Sequence, residues 1–463
     1  MTHWSTEMQV DTGGYAASVD EAGRAAIRAE RMGYDGWWAL ETKHDPFLGC
    51  AVAAERTERV QVGTGIAVAF ARNPMTVALQ ANDVQALSGG RFVLGLGSQI
   101  KPHITKRYSM EWSHPAPRMR EFVLAVRAIW EAWATGAPLD FRGDFYSHTL
   151  MTPFFDPGPN PYGRPKVIMA AVGPKMTEAA GEVADGVFCH GFSTERYVRE
   201  VTLPALRRGA EKAGRGLTGF EITAPSMIVA ADAEQELEAG IEAVRNQIGF
   251  YGSTPAYRPV LEVHGWGELQ DELNALTKRG SWDQVAGLID DEVLHAFAII
   301  GTPEAAVEEA RRRYGDIATR ISIAVPEDGD PERWGSLFER LRERVAEVPR
   351  GRARVQTALD VLFEQYSGPL FAAVVELCLA ARGDAELREV IATEERNITR
   401  TMHETATVIF GDDFPATSEI ARRWATVLSA IRGLALLKLL GHPPDAVDRQ
   451  WAATRRQLLE LLT

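Results

Sequence analysis

"GRFVLGLGSQI" (residues 90–100) runs a short apolar strand into Gly-Leu-Gly-Ser. Three readings fit those residues: a phosphate cradle, a plain sharp turn, or the rim of an active site. Glycines after a strand are common, so the choice rests on the flanking chain. Upstream lie "MQVD" (8–11), "GWWALE" (36–41) and "VQVGTGIAVAF" (60–70). Downstream lie "KVIMAAVG" (166–173), "GVFCHGF" (186–192), "FEITAPSMIVA" (220–230) and "RISIAVP" (320–326). With 91–97 these make eight runs, apolar throughout rather than alternating, as parallel strands covered on both faces are. Helical patterns separate them. In "RMREFVLAVRAIWEAW" (118–133) Met119, Phe122, Val123, Val126, Ile129, Trp130 and Trp133 fall on one stripe. "SVDEAGRAAIRAERMG" (18–33) opens on Ser18 as N-cap and closes at Gly33 as the C′ residue. Eight strand–helix repeats predict an α/β fold, a (β/α)8 TIM barrel with insertions, over residues 1–347. An open doubly wound sheet shares the alternation and differs in strand count. The insertions are a Pro/Gly-rich stretch (135–165) and an irregular one (250–295).

After a linker, "VPRGRARV" (348–355), the texture changes. Residues 356–463 contain no strand pattern and predict an all-α domain, with helices over 369–382, 385–410, 416–440 and 445–462. The chain of 463 residues is 45% hydrophobic, 24% charged and carries a net charge of −13, the composition of a globular protein. That balance excludes a dedicated nucleic-acid binder and leaves room for a local basic pocket. Cys50, Cys189 and Cys378 lie far apart, with no metal-site spacing and no disulfide framework, so a cytoplasmic location is expected. The N-terminus has no export signal, and no apolar run reaches the roughly 18 residues of a membrane helix.

In a barrel, chemistry sits where strands end at the C-terminal face. Strand 2 ends on Glu41, His44 and Asp45; strand 3 passes Gly63, Gly65 and Arg72; strand 4 ends on Ser98, Gln99, Lys101 and His103. Strand 5 ends at "VGPKM" with Lys175, and strand 6 at His190. Gly173 before a helix start favours an anion through free backbone N–H groups and the helix dipole, aided by Lys175. A plain strand-to-helix turn, with Pro174 at the helix start, accounts for the same residues. His44 beside Asp45 fits an acid–base group oriented by a carboxylate, and equally a histidine fixing a loop. Glu41 closes an apolar strand, so it is expected to be buried against a donor: a ligand, His44 or a backbone N–H. Walker, HExxH, G-x-S-x-G and paired-cysteine patterns are missing, so no metal site is expected.

In their order and spacing, "ETKHDPFLGCAVAAERTERVQVGTGIAVAFARNPM", "LSGGRFVLGLGSQIKPHI", "AAVGPKMTEAAGEVADGV" and "GTPEAAVEEARRRYGDIATRISIAVP" resemble the luciferase-like flavin oxidoreductase superfamily. They are closer to its branch using the deazaflavin coenzyme F-420, and the match covers residues 8–347. The resemblance implies a (β/α)8 barrel with the coenzyme ring at the C-terminal face. It implies a bulge with a non-prolyl cis peptide at Gly65–Ile66, and a cofactor rim of Gly97, Ser98 and Gln99, with Gly97 giving backbone access. Val172, Gly173, Pro174, Lys175 and Met176 would hold the ribityl-phosphate region. Two departures stand out. Many relatives carry Asp-His where this chain has Glu41 and Thr42, which displaces the histidine to His44. The family's sugar-phosphate dehydrogenases have a catalytic Glu and an Asn where this chain has Ile100 and His103, so a sugar phosphate is not the expected substrate. His44 and His103 are the expected proton handlers, with Glu41 orienting. The implied reaction is hydride transfer between coenzyme F-420 and a small hydrophobic substrate, with Trp38, Phe47, Phe70, Trp112 and Phe192 as candidate pocket walls. An FMN-dependent monooxygenase and a non-enzymatic ligand sensor are the alternatives. "YSGPLFAAVVELCLAARGDAELREVI" (366–391) resembles the ligand-binding, dimerising half of TetR-type repressors without their helix-turn-helix, which implies a homodimer. The linker arginines Arg350, Arg352 and Arg354 read as a solvated linker rather than a DNA contact.

Overall fold

In a computed structural model the chain divides into two compact units, Met1–Arg342 and Glu343–Thr463. The structure describes residues 8–325, 329–342, 419–440 and 442–462, with short helical pieces between 355 and 375. The first unit carries β1 (Gln9–Gly14), β2 (Gly36–Ala39), β3 (Gln61–Thr64), β4 (Phe92–Gly97), β5 (Lys166–Ala171), β6 (Gly186–Cys189), β7 (Glu221–Thr223) and β8 (Arg320–Ser322). Each is parallel to the next, β3 pairs with β4 through Val62↔Phe92, and β8 returns to β1 through Gln9↔Arg320. The ring is closed, which excludes the open sheet.

Local chemistry accounts for the element ends. Ser18 accepts the Glu21 N–H at the start of α1 (Val19–Arg31), and Gly33 takes the left-handed φ of +81° just past its end. Asp45 caps α2 (Pro46–Arg56) and Asn73 caps α3 (Pro74–Leu87). The stripe read from 118–133 is the buried face of α4 (Pro115–Thr135). Three sequence readings need correction. The run 60–70 is not one strand: it stops at Thr64, resumes over Ala67–Val68 beside Leu96 and Gly97, and turns into a 3-10 segment at Ala69–Ala71. The run 220–230 breaks at Pro225, which has no N–H to continue a ladder. Met227–Ala230 then leaves the barrel and pairs with Ala298–Gly301. The stretch 250–295 is largely helical, with helices Arg258–Glu262, Gly267–Arg279 and Asp291–Phe297 following Glu234–Gly252. It packs round its own core of Phe192, Ile248, Leu273 and Phe297. Breaks at Gly252, Gly265 and Gly280 divide that stretch too finely for helical periodicity to be read.

The two-residue period of the strands fills the barrel in layers. At the N-terminal end the fully buried Arg320 makes a two-point contact with Asp11 (2.8 and 2.7 Å) and reaches Gln61 (2.8 Å) and Glu221 (3.2 Å). Trp38, Val93, Ile168 and Phe188 make the middle layer, with the Trp38 and Phe188 rings edge-on at 5.0 Å. Four inward positions nearer the C-terminal mouth, Gly13, Gly97, Ala170 and Ser322, carry small side chains or none.

In the second unit, helices Glu419–Leu439 and Pro444–Leu462 match two predicted helices. Phe363 stacks on Trp451 at 4.2 Å, and Asp360 accepts from Trp451 Nε1 (3.0 Å) and Arg455 (2.8 and 2.7 Å). The linker 348–354, Cys378, the predicted helices 369–382 and 385–410, and nearly all of the TetR-like stretch 366–391 lie outside the described residues.

Candidate active site

Strands β3, β4 and β5 are parallel neighbours, so Ile66, Ser98 and Lys175 come to the same mouth. The Gly65–Ile66 peptide is cis. A Cβ on Gly97 would stand 2.8 Å from Ile66 Cδ1, so Gly97 makes room for the Ile66 side chain. Gly95 is required for a different reason: a Cβ there would meet the Thr64 carbonyl oxygen at 1.9 Å. The Thr64 hydroxyl donates to the Gly95 carbonyl (2.7 Å) and accepts its N–H (2.9 Å), which closes the β3–β4 seam. Gln99 adopts a φ of +60°, and its own Oε1 accepts the Ile100 N–H (2.9 Å), while the Ser98 hydroxyl donates to the Gln99 carbonyl (3.2 Å). Gly173 precedes α5 (Pro174–Val183) with no side-chain cap, leaving the helix start to other acceptors. Lys175 is exposed, Met176 is half-buried, and the Val172 carbonyl accepts from the Tyr197 hydroxyl (3.1 Å).

The Glu41 side chain is only 6% exposed, and of the donors expected for it the structure shows a backbone N–H and not His44. Its carboxylate accepts the Val68 N–H (2.7 Å), Arg72 Nη1 (2.7 Å) and the Tyr108 hydroxyl (2.8 Å). One residue thereby ties the end of β2 to the segment after the cis peptide and to the β4 loop. Arg72 also pairs with Asp45 (2.7 Å), whose other oxygen caps α2 by accepting the Phe47 N–H (2.9 Å). The expected His44–Asp45 pair therefore does not form. His44 instead directs Nε2 at the Ala17 carbonyl (2.9 Å), on the exposed loop after β1. His103 is exposed at the start of the 103–107 turn of the β4 loop. Of the expected pocket walls, Phe47, Phe70 and Phe192 are buried in the cores instead, and Trp112 packs edge-on against Phe70 at 5.5 Å.

Two features of the mouth go beyond the strand-end positions of His190, Lys101 and Lys175 named from the sequence. The first is an aromatic wall. His190, just past β6, stacks on Tyr257 (4.9 Å) and meets Tyr251 edge-on (4.7 Å), both delivered by the stretch read as irregular. Burial pushes the His190 imidazole down to about 4, so the ring is neutral. The second is charge. The chain holds eight lysines, and Lys43, Lys101, Lys106 and Lys175 all stand on the segments that directly follow β2, β4 and β5, Lys175 in the first turn of α5. All four are exposed, and none pairs with a carboxylate among the described residues. Scarcity of lysine was the available signal: arginine carries most of the positive charge elsewhere. No three metal-ligating side chains converge among the described residues, and none of their helices is long and apolar enough to cross a membrane.

The C-terminal mouth of this closed parallel barrel, the face where barrel enzymes carry their chemistry, holds a cis peptide, a helix start without a side-chain cap and four lysines unpaired among the described residues. The family model for luciferase-like monooxygenases matches residues 1–320, and the chain belongs to that family. It is 53% identical over 300 residues to the uncharacterized protein Rv1360 of Mycobacterium tuberculosis, covering 65% of this chain and 88% of that one. The 5,10-methylenetetrahydromethanopterin reductase of Archaeoglobus fulgidus is 29% identical over 306 residues, covering 64% and 87%. The solved coenzyme F-420-dependent tetrahydromethanopterin reductase of Methanopyrus kandleri superposes with a TM-score of 0.59 at 22% identity, over 72% of this chain and 97% of that one, and so shares the fold.

Proposed function

We propose that the barrel transfers a hydride between coenzyme F-420 and a small, apolar organic substrate. The carrying observation is the set of lysines at the mouth of an otherwise acidic chain. Lys43, Lys101, Lys106 and Lys175 are spread over three segments, wider than a single phosphate needs, which suits a coenzyme with an extended anionic tail. The free N–H groups after Gly173 suit its phosphate. Ile66, seated over Gly97, and the small residues Ala170 and Ser322 suit a planar ring above Trp38. The relatedness to methylenetetrahydromethanopterin reductases supports the same coenzyme. The coenzyme would supply the hydride.

The chain's own residues bind, orient and shield. Glu41 holds the bulge through Val68 and the β4 loop through Tyr108. His44 and His103, both exposed at the rim, are the groups able to exchange the accompanying proton with water. We read the second unit as a TetR-type ligand-binding and dimerisation module without DNA-binding function, and the protein as a homodimer. Titration of the full chain with F-420 and, separately, with FMN tests the assignment by fluorescence. Micromolar or tighter binding of F-420, with FMN weaker, is expected. FMN binding with none of F-420 would replace the reading with an FMN monooxygenase.

A further inference from the structure

We infer that His190 holds the substrate's oxygen, presenting a neutral Nε2–H from an aromatic wall at the barrel mouth. The inference rests on the functional reading above for what shares the mouth, and on geometry for the residue itself. Gly186 and Phe188 point into the barrel, Phe188 packing on Trp38, so the strand period carries His190 to the inward side one layer nearer the mouth.

Its tautomer is set locally. Nδ1 accepts the Phe192 backbone N–H at 3.0 Å, so a neutral ring carries its proton on Nε2. Burial lowers its pKa to about 4, so the ring is neutral near pH 7. The nearest partner of Nε2 is the Tyr257 hydroxyl at 3.4 Å, long for a hydrogen bond. A ligand oxygen at ordinary distance would be the better acceptor. The ring cannot swing away, because Tyr257 stacks on one face, Tyr251 stands edge-on, and Phe192 lies behind both at 5.6 and 6.1 Å.

A neutral imidazole is too weak an acid to surrender its remaining proton, so the role is orientation and polarisation of a carbonyl oxygen, with no proton transferred. One donor fixed among phenol and phenyl rings selects a planar, unsaturated carbonyl compound: a cyclic enone or an aryl aldehyde or ketone. Tyr257, placed to hydrogen-bond the same oxygen or His190 itself, is a positioning residue.

The test uses cyclohex-2-enone and cyclohexene as probes differing in the carbonyl. Both are titrated calorimetrically into the full chain, coenzyme-free and loaded with F-420. The wild type is expected to prefer the enone by about tenfold, the effect of one buried hydrogen bond. H190F should abolish the preference and H190N, which keeps an acceptor and a donor, should restore most of it. The Kd for F-420 should stay within about twofold in both variants, which shows that they fold. Imidazole 15N spectra should place the proton on Nε2 and show that resonance shifting on enone addition. A wild type without the preference, a preference surviving in H190F, or a proton on Nδ1 each overturns the proposal. Failure of the wild type to take up F-420 sinks the functional reading instead, because the coenzyme-free titrations still decide His190.

Discussion

Gly95 and Gly97, two residues apart on β4, lack side chains for unlike reasons, and substitution separates them. Alanine at 95 would drive a Cβ into the Thr64 carbonyl, a backbone atom that cannot yield, so G95A should lose about 3 kcal/mol in denaturant unfolding. Alanine at 97 would press on the Ile66 side chain, with Ala170 at ordinary contact distance, and on no backbone atom. G97A should therefore fold near wild-type stability while F-420 affinity, read by fluorescence, falls about tenfold as Ile66 is displaced. Glu41→Gln leaves one acceptor oxygen for three donors, and a loss of about 1–3 kcal/mol with weakened coenzyme binding is expected from the same two measurements. His190 sets a pH dependence. Its pKa falls from 6.5 to about 4 through burial, so the unfolded chain binds a proton that the folded chain refuses. Stability should fall as the pH drops from 6.5 toward 4. Burial shifts His148 and His264 the same way, so H190F should flatten part of that slope and not all of it.

Whole elements are joined by carboxylates rather than by apolar contact alone. Glu30, near the end of α1, accepts the backbone N–H groups of Glu58, Arg59 and Val60 (2.6 to 3.3 Å) and pins the entry to β3. Burial alone would raise its pKa, but the donors from Val60, Arg59 and Glu58 outweigh it and hold the carboxyl below the usual range. E30Q should lose about 1 kcal/mol at neutral pH, and the difference from wild type should shrink as the pH falls below 4.5 and vanish only beneath the depressed pKa of folded Glu30. Glu121 does the same for the 141–148 hairpin through the N–H groups of Asp144, Phe145 and Tyr146. Neither clamp follows a sequence motif, because the donors lie more than twenty residues from the carboxylate. By contrast Ser18, Asp45 and Asn73 cap helices two or three residues away, and a cap of that kind is readable before any fold is known.

Across the molecule, net charge and local charge oppose each other. If the lysines of the mouth attract the coenzyme's anionic tail, raising salt should weaken F-420 binding, and K101E/K106E should weaken it further while lowering the salt dependence of log Kd. A deazaflavin riboside without phosphate or tail should show neither effect. The same scale holds the polar floor of the barrel, where Arg320 joins β8 to β1, β3 and β7. R320M leaves Asp11 buried without its cationic partner and should lower stability by about 3–5 kcal/mol.

What the residues alone determined was the barrel: eight apolar runs at strand length, helices of 3.6-residue period between them, and caps acting within one turn. Those signals are local, and local order along a chain survives in the chain's own text. The places where that reading failed, the split of 60–70, the departure of 227–230 and the helices of 250–295, depend on which neighbour a segment meets. The mouth was half legible. Ser98 and Lys175 could be named because they follow strands and Ile66 through the family resemblance, whereas Glu41's partners, the Ile66–Gly97 fit and the ring pair beside His190 arise only when distant segments close on one another. Hydrogen bonds and steric fits act over about 3 to 4 Å in space, and sequence separation carries no record of that distance.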